Sequence, residues 1–182
     1  MSTTIKNVLV ATTFFVITVI GSTAAAQVAT TNQNGFVEEP SKKLTLSFSP
    51  VHLLFPFAEV TGEYAVSQNF GVAGIAGLGG YNGAYMLDVG AQAIYYVTGS
   101  FEQGVQVGGE AVYAELGASS GGDSVALVSG LGVAPFLGYK MSARNGFTGI
   151  LQAGPQLVMA TSGYQSAAGV GIMLNANVGW TF

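Results

Sequence analysis

The chain has 182 residues, of which 49% are hydrophobic and only 8% are charged, and its formal net charge is −4. Since an average soluble domain carries about 25% charged residues, a chain of this composition would be poorly soluble as a globule. Five basic residues are too few for the basic face that nucleic acid requires, and the absence of cysteine excludes disulfides and thiolate metal sites.

The first 26 residues have the layout of a secretory signal peptide. Lys6 provides the positive charge, residues 8–20 form an apolar run, and residues 21–26 are small, as they are before a cleavage site. An uncleaved membrane anchor is the alternative, but 13 apolar residues are fewer than the ~20 that a spanning helix needs. We therefore expect cleavage before Gln27, which leaves 182 − 26 = 156 residues, enough for one domain.

Residues 27–42 are polar and lack periodicity, which predicts a disordered tail in the periplasm. Beyond this tail no apolar stretch is as long as a spanning helix, and the most apolar region, 125–139, is broken by glycines and a proline. A membrane protein without spanning helices must be a closed β-barrel, since only that structure satisfies every main-chain N–H and C=O group inside lipid. Residues 43–182 are therefore predicted to form such a barrel.

Strand-like segments recur along this region, each bounded by Gly, Ser, Asn or Pro. The sequence predicts an all-β fold, an antiparallel up-and-down transmembrane β-barrel, with eight strands at residues 43–54, 57–66, 70–79, 85–97, 104–116, 125–140, 146–159 and 168–182. Short turns are predicted at 67–69, 99–103 and 141–145, a tight connection at 54–56, and looser loops at 80–84, 117–124 and 160–167. Because short turns face the periplasm in outer-membrane barrels, both ends of the barrel domain are expected there.

Apolar and polar residues alternate along most segments, which predicts one face toward lipid and one toward the lumen. In the last segment the apolar positions are Val170, Ile172, Leu174, Ala176, Val178, Trp180 and Phe182. The polar faces together form a predicted lumenal cluster of Glu59, Glu63, Asp88, Gln92, Gln106, Glu110 and Lys140. Lys140 is the only base that the alternation directs inward.

Aromatic residues concentrate near the predicted strand ends, as interfacial girdles do. The periplasmic girdle is expected to contain Tyr64, Phe70, Tyr95, Tyr139, Phe147, Trp180 and Phe182. The outer girdle is expected to contain Phe55, Phe57, Tyr81, Tyr85 and Tyr113. Aromatic residues also punctuate strand ends in other β-proteins, which is the alternative explanation of this pattern.

The last five residues, Val178-Gly179-Trp180-Thr181-Phe182, resemble the C-terminal signal of bacterial outer-membrane barrels, with Val178, Trp180 and Phe182 as its apolar positions. Residues 43–182 also resemble the small OmpA- and OmpX-like barrels of eight strands and, more loosely, a group of Gly-rich outer-membrane proteins. The resemblance implies export, insertion by the barrel-assembly machinery and a location in the bacterial outer membrane, with lipid as the main partner. We expect a monomer. Fold resemblance implies no particular biological role.

The narrow bore of an eight-stranded barrel predicts a plug of hydrogen-bonded side chains, which favours a structural or envelope-stabilising role without cofactor or metal. Four carboxylates against one base leave a narrow cation-selective channel as an alternative, and a surface binding protein is another, although the loops are short. A further alternative is a lipid-modifying hydrolase built on His52, the only histidine, with Ser47 or Ser49 and Glu59. No serine stands two residues after His52, where the comparable lipid A deacylases carry theirs, so we expect no catalysis.

Overall fold

The structure, a computed structural model, describes residues 42–54, 56–120, 123–162 and 165–182. The predicted signal peptide lies outside the described residues, as do the predicted tail up to residue 41 and Phe55. Within the described ranges, no helix has the length and apolar character to cross a membrane.

Eight antiparallel strands form one closed sheet, in which each strand pairs with its neighbours in chain order and the last strand returns to the first. The strands are β1 (Leu44–Phe48), β2 (Phe57–Ser67), β3 (Phe70–Tyr81), β4 (Ala84–Tyr96), β5 (Gly104–Ser120), β6 (Asp123–Ser142), β7 (Phe147–Ser162) and β8 (Gln165–Thr181). A 3-10 turn, His52–Leu54, lies between β1 and β2. The structure confirms the predicted all-β, antiparallel up-and-down barrel of eight strands.

The first strand is shorter than predicted, so the prediction of a strand over 43–54 was wrong. β1 ends at Phe48 because Pro50 has no N–H to donate to a neighbouring strand, and the following residues turn into the 3-10 segment. The connection to β2 therefore spans residues 49–56 instead of the tight turn predicted at 54–56.

The predictions of looser loops at 80–84, 117–124 and 160–167 were also wrong, because strands continue through most of these residues. β3 and β4 meet at a two-residue turn in which Asn82 has a φ of 51° and Gly83 a φ of 80°. Positive φ at both central positions belongs to the turn type whose twist matches that of a hairpin. The strands β5 to β8 extend in the same way into the other two predicted loops.

The strands are tilted relative to the barrel axis, as their register shows. Following paired residues around the ring from Phe48 leads to Ala168 on β8, whereas the residue of β8 that pairs with Phe48 is Val178. The ring therefore closes with a stagger of 178 − 168 = 10 residues. With strands about 4.8 Å apart and about 3.3 Å per residue, eight strands with this stagger tilt by roughly 40°.

The two ends of the barrel differ in shape. We define the lower end as the one that holds Phe182 and the turns 68–69, 97–103 and 143–146, and the upper end as the opposite one. Every strand reaches the lower end, but β1 and β2 have only 5 and 11 residues, whereas β6 and β8 have 20 and 17. The upper rim is therefore low at β1 and β2 and high along β5 to β8.

Side chains alternate between the two faces of the wall, and along β2 and β4 buried and exposed residues follow each other almost without interruption. Outward side chains are large and apolar, such as Leu78, Leu137 and Ile172, which are 64%, 61% and 74% exposed. Many inward side chains are polar, and Glu63 and Lys140 are among the most deeply buried residues. The interior therefore mixes polar side chains with an apolar cluster that includes Ile94, Phe136 and Met173, whereas the outer surface exposes many large apolar side chains.

Most aromatic residues of the predicted girdles are exposed. Those at the lower end include Tyr64, Tyr95, Tyr139, Phe147, Trp180 and Phe182, and those toward the upper end include Tyr81 and Tyr113. The assignment of Phe57 to the outer girdle was wrong, because its side chain is only 6% exposed and meets the His52 ring edge-on at 5.5 Å. As the first residue of β2, Phe57 has the parity of Glu59, which the alternation already directs inward.

Candidate functional site

A buried lysine lies at the lower end of the lumen. Nζ of Lys140 donates hydrogen bonds to Oε2 of Glu63 at 2.7 Å, to Oγ1 of Thr45 at 2.8 Å and to the hydroxyl of Tyr96 at 3.2 Å. Lys140 and Tyr96 are fully buried, and Glu63 is 1% exposed. The ammonium group thus has three polar partners, one of opposite charge, which offset the loss of water around both ions.

The turn between β4 and β5 closes the lumen from below. Phe101 of this turn is fully buried, and its main-chain N–H donates to the carbonyl of Gln68 in the neighbouring turn at 2.9 Å. Nζ of Lys140 lies 3.8 Å from the centre of the Phe101 ring, a distance at which a cation is attracted to an aromatic face. The Tyr96 ring packs edge-on against Phe101 at 6.0 Å. We define these residues as the lower plug: Thr45, Glu63, Tyr96, Phe101 and Lys140.

The prediction of lumenal residues missed Tyr96 and Phe101. Tyr96 has the same parity on β4 as Gln92 and Asp88, so the alternation could have placed it inside. Phe101 follows Gly99, whose φ of 79° turns the chain sharply, and period two does not hold through such a turn. Only the packing of the closed barrel brings Phe101 into the lumen.

Amide side chains continue the network above the lower plug. Nε2 of Gln106 donates to the Tyr96 hydroxyl at 3.0 Å, and Oε1 of Gln106 accepts from Gln152 at 3.1 Å. Gln92 donates to Gln152 at 3.2 Å and to Oε2 of Glu110 at 2.7 Å. A continuous chain of hydrogen bonds therefore runs from the lower plug to Glu110 through buried side chains.

Above this network lies a cavity of about 200 Å³ whose charged lining is entirely acidic. We call it the acidic cavity, and its carboxyl groups belong to Glu59, Asp88 and Glu110. Asn175 donates to Oε2 of Glu110 at 2.9 Å, but Oδ1 of Asp88, a residue only 9% exposed, has no hydrogen-bond partner. The apolar part of the lining consists of Ile75, Val112, Ile172, Met173 and Leu174.

His52 lies beside one of these carboxyl groups, in the connection between β1 and β2. Its Nδ1 atom is 3.2 Å from Oε2 of Glu59, which is ion-pair distance when the imidazole is protonated. The interaction with Glu59 raises the pKa of His52 above its usual 6.5, burial opposes the rise, and the charges of Asp88 and Glu110 add to it. Mildly acidic pH therefore places a positive charge next to Glu59.

The structure buries all seven residues of the predicted lumenal cluster inside the barrel, but it divides them. Glu63 and Lys140 belong to the lower plug, whereas Glu59 and Asp88 line the acidic cavity. Lys140 is the only buried lysine or arginine among the described residues and pairs with Glu63, and no lysine or arginine of the described chain lines the acidic cavity. Gln92 and Gln106 belong to the connecting network, and Glu110 lies where this network meets the acidic cavity.

The C-terminal residues lie at the lower end of the seam between β8 and β1. Leu44 donates its main-chain N–H to the carbonyl of Phe182 at 3.2 Å, and the N–H of Phe182 donates to the carbonyl of Leu44 at 2.7 Å. The Trp180 ring packs edge-on against Phe147 at 5.5 Å, and Val178 pairs with the end of β1. The role of these residues as an assembly signal stays a prediction.

The residues of the hydrolase alternative do not form a triad. The hydroxyl of Ser49 donates to the carbonyl of Ala176 at 3.4 Å and that of Ser47 to the carbonyl of Thr61 at 3.5 Å, and no serine in the described ranges hydrogen-bonds to His52. Nor are three His, Asp or Glu side chains of the described residues grouped so as to hold a metal ion. The absence of catalysis stays a prediction.

Comparison of the chain with family models, with curated proteins and with solved structures finds no match. The architecture alone therefore assigns it to the small antiparallel β-barrels of eight strands. A closer relationship to the OmpA- and OmpX-like proteins stays a prediction.

Proposed function

We propose that the protein is an integral barrel of the bacterial outer membrane with a structural, envelope-stabilising role, and that it does not conduct ions. One observation carries the proposal: an apolar outer surface between two rows of aromatic side chains surrounds a lumen that the lower plug closes. The outer surface supports insertion into lipid, and the closed lumen argues against transport.

The spacing of the aromatic rows supports membrane insertion. Tyr85 and Tyr95 belong to the same face of β4 and are 95 − 85 = 10 residues apart. At about 3.3 Å per residue and a tilt of roughly 40°, they are separated by about 25 Å along the barrel axis. Outer-membrane barrels present an apolar band of about 25 Å between their aromatic girdles. Tyr139 and Trp180 continue the lower row, and Tyr81 continues the upper one.

The upper row also carries a carboxyl group on the outside of the barrel. The hydroxyl of Tyr85 donates to Oε1 of Glu115 at 2.8 Å, and that of Tyr113 donates to Oε2 of the same residue at 3.3 Å. Tyrosines whose rings are apolar and whose hydroxyls reach a polar group are typical of a membrane–water boundary. This cluster supports a boundary at the level of Tyr85.

The lower plug supports a lumen that is closed to ions. An ion that crossed it would have to separate Lys140 from Glu63, and leaving either charge buried without its partner is strongly unfavourable. The two-residue turn Asn82-Gly83 at the upper end also offers little surface for recognising a large partner.

Planar-bilayer recordings of the refolded chain test the closed lumen. We expect no unitary currents from the wild type. Replacing Phe101 and Lys140 together by alanine removes two of the three largest fully buried side chains and should admit small cations. Gln103→Ala changes an exposed side chain of the same turn and should stay as silent as the wild type. Steady cation-selective currents from the wild type would contradict the structural role and favour the channel alternative.

Cell fractionation with intact-mass measurement tests the location. We expect a product that begins at Gln27 and fractionates with the outer membrane. A product that still carries residues 1–26, or one that is freely soluble in the periplasm, would contradict the proposal.

A further inference from the structure

Two prolines lie opposite each other in the pairing between β6 and β7. At the lower end of these strands the main-chain N–H of Ala143 donates to the carbonyl of Phe147 at 2.7 Å. Residues of an antiparallel pair exchange hydrogen bonds at every second position, and steps of two from this contact lead to Pro135 opposite Pro155. Neither proline has an N–H, so this pair forms neither of the two hydrogen bonds expected there.

The prolines divide the pairing of β6 with β7 into two parts. Residues 137–142 pair with 148–153 below them, and residues 129–133 pair with 157–161 above them, whereas residues 134–136 have no paired residue on β7. We call these two parts the lower ladder and the upper ladder. The upper ladder consists of five residue pairs, and the hydroxyl of Ser162 adds one hydrogen bond, which it donates to the carbonyl of Leu127 at 3.1 Å.

Strand β8 has no second neighbour at the height of the upper ladder. It pairs with β7 from Gln165 to Trp180, but with β1 only from Val178 to Thr181. Among the described residues, no strand pairs with the other side of β8 above Val178. The upper β7–β8 hairpin is therefore held to the rest of the wall through the upper ladder alone. We call its described residues, Leu157–Ser162 and Gln165–Val170, the flap.

Packing inside the lumen does not hold the flap either. All six residues from Gln165 to Val170 are exposed, so the alternation of buried and exposed residues stops in this part of β8. Met173 is buried, and the next inward positions above it are Gly171 and Gly169. A Cβ atom at Gly169 would meet no atom within 4 Å. No side chain at these two positions therefore reaches across to the opposite wall.

The base of the flap adjoins the acidic cavity. Pro155 pairs with Ile172, and the next pair upward is Gln156 with Gly171. Gln156 and Met173 both line the cavity. Since a glycine inside a strand commonly marks a bend, Gly171 suits a hinge beside the broken ladder. Movement at this level changes the upper mouth of the cavity and leaves the lower plug in place.

We propose that the flap swings as one unit about the level of Pro155 and Gly171, and that it opens and closes the upper mouth of the lumen. Opening breaks the hydrogen bonds of the upper ladder, whereas those between β7 and β8 stay intact. Local opening of a small unit costs less free energy than unfolding of the whole barrel. This motion goes beyond the proposed structural role and requires only the folded barrel.

The height of the flap is compatible with such motion in the proposed orientation. Trp180 belongs to the lower aromatic row, and Val170 lies 180 − 170 = 10 residues above it, which is the spacing of the two rows on β4. The flap therefore stands at the upper row and beyond it. Main-chain groups that separate there meet water, which can hydrogen-bond to them, and not hydrocarbon, which cannot.

Hydrogen exchange of the refolded full chain in micelles, followed by NMR for single amides, tests the proposal. Leu157 and Met159 direct their N–H groups toward β6, as Leu151 does in the lower ladder, whereas Val158 and Ala160 direct theirs toward β8. We expect Leu157 and Met159 to exchange at least tenfold faster than Leu151, while Val158 and Ala160 stay protected. Equal exchange in both ladders would overturn the opening, and equally fast exchange of Val158 and Ala160 would overturn motion as one unit.

Replacing both prolines by valine tests their part in the hinge. Pro135→Val with Pro155→Val supplies the two missing N–H groups and should slow the exchange of the Leu157 amide at least tenfold. Unchanged exchange of this amide in the folded double variant would overturn the assignment of the hinge to the prolines.

A disulfide provides a second test that keeps both prolines. The chain has no cysteine, so Leu131→Cys with Met159→Cys, at a pair of the upper ladder, introduces one defined disulfide. Its oxidation should slow the exchange of the Leu157 amide at least tenfold, and its reduction should restore the exchange. The matched control is Leu137→Cys with Ala153→Cys, a pair of the lower ladder, whose oxidation should leave the Leu157 amide unchanged. The same exchange in the oxidised and reduced forms of the upper variant would overturn the proposal, whether or not the valine variant folds.

Discussion

At the scale of single residues, Lys140 is the side chain on which most of the lumen depends. It is fully buried, and its charge is compensated by Glu63 at 2.7 Å together with two hydroxyl groups and the face of the Phe101 ring. A buried ion pair is not strongly stabilising compared with an apolar core, but removing one partner alone leaves an uncompensated charge. The sequence predicts that Lys140 points inward, yet nothing in it shows that Glu63 is the carboxylate it meets.

Replacing Lys140 by methionine should therefore lower the free energy of unfolding by about 3–5 kcal/mol. Adding Glu63→Gln should restore part of this loss, because the remaining buried group is then neutral. Lys42→Met is the matched control, since Lys42 makes a partly exposed ion pair with Glu102 at 3.9 Å and should cost less than about 1 kcal/mol. Urea titrations in one lipid system measure the free energies of unfolding of the two single variants and the double variant. A loss in Lys140→Met no larger than that in Lys42→Met would contradict the account of the lower plug.

His52 gives the protein a small dependence on pH. Its pKa is raised in the folded state by Glu59, so its contribution to stability is fully present below the ordinary value of 6.5. That contribution disappears as the pH rises through the folded-state pKa. Between about pH 5.5 and 8, roughly the range in which histidine titrates, the wild type should thus lose stability relative to His52→Gln as the pH rises. The urea midpoints of the two proteins measure this difference. A constant difference between the two proteins across this range would refute the interaction.

At the scale of strands, the alternation of apolar and polar residues predicts well which face of the wall each side chain occupies. A polar side chain facing lipid, or a large apolar one facing a polar lumen, would be unfavourable, so successive residues differ in type. It predicts the ends of strands less well. Residues 117–120 and 160–162 contain the small and polar residues typical of loops, but pairing with a neighbouring strand extends them. Conversely, residues 50–54 are apolar enough for a strand, and Pro50 ends it.

Arginine substitutions on β4 test the assignment of the two faces. Ala91 is exposed on the outer wall and Gln92 is buried in the lumen, where it donates to Glu110. Ala91→Arg should cost about 2–4 kcal/mol near the middle of the bilayer. Gln92→Arg should cost less, because its guanidinium group can pair with Glu110. The folding free energies of both variants are measured in one lipid system and compared. A larger loss for Gln92→Arg than for Ala91→Arg would mean that the two faces are inverted.

At the scale of the whole molecule, the stagger of ten residues determines the tilt of the strands, whereas their unequal lengths determine the slope of the upper rim. The hydrophobic pattern cannot predict this stagger. It determines which face a residue occupies, but shifting the pairing of two strands by two residues leaves every side chain on the same face. The overhang of β8 beyond the end of β1 was unpredictable as well. It follows from a β1 of only 5 residues beside a β8 of 17 residues, and neither length could be read from the alternation.

The membrane-spanning orientation is the central claim, and the single tryptophan allows it to be measured directly. In vesicles that contain brominated lipids, the fluorescence of Trp180 should be quenched more by bromine near the headgroups than by bromine near the bilayer centre. A second protein, with Trp180→Phe and Val89→Trp, moves the probe to an exposed position between Tyr85 and Tyr95 on β4 and should show the opposite order. Absence of quenching in both proteins, or the same depth for both tryptophans, would contradict a barrel that spans the membrane.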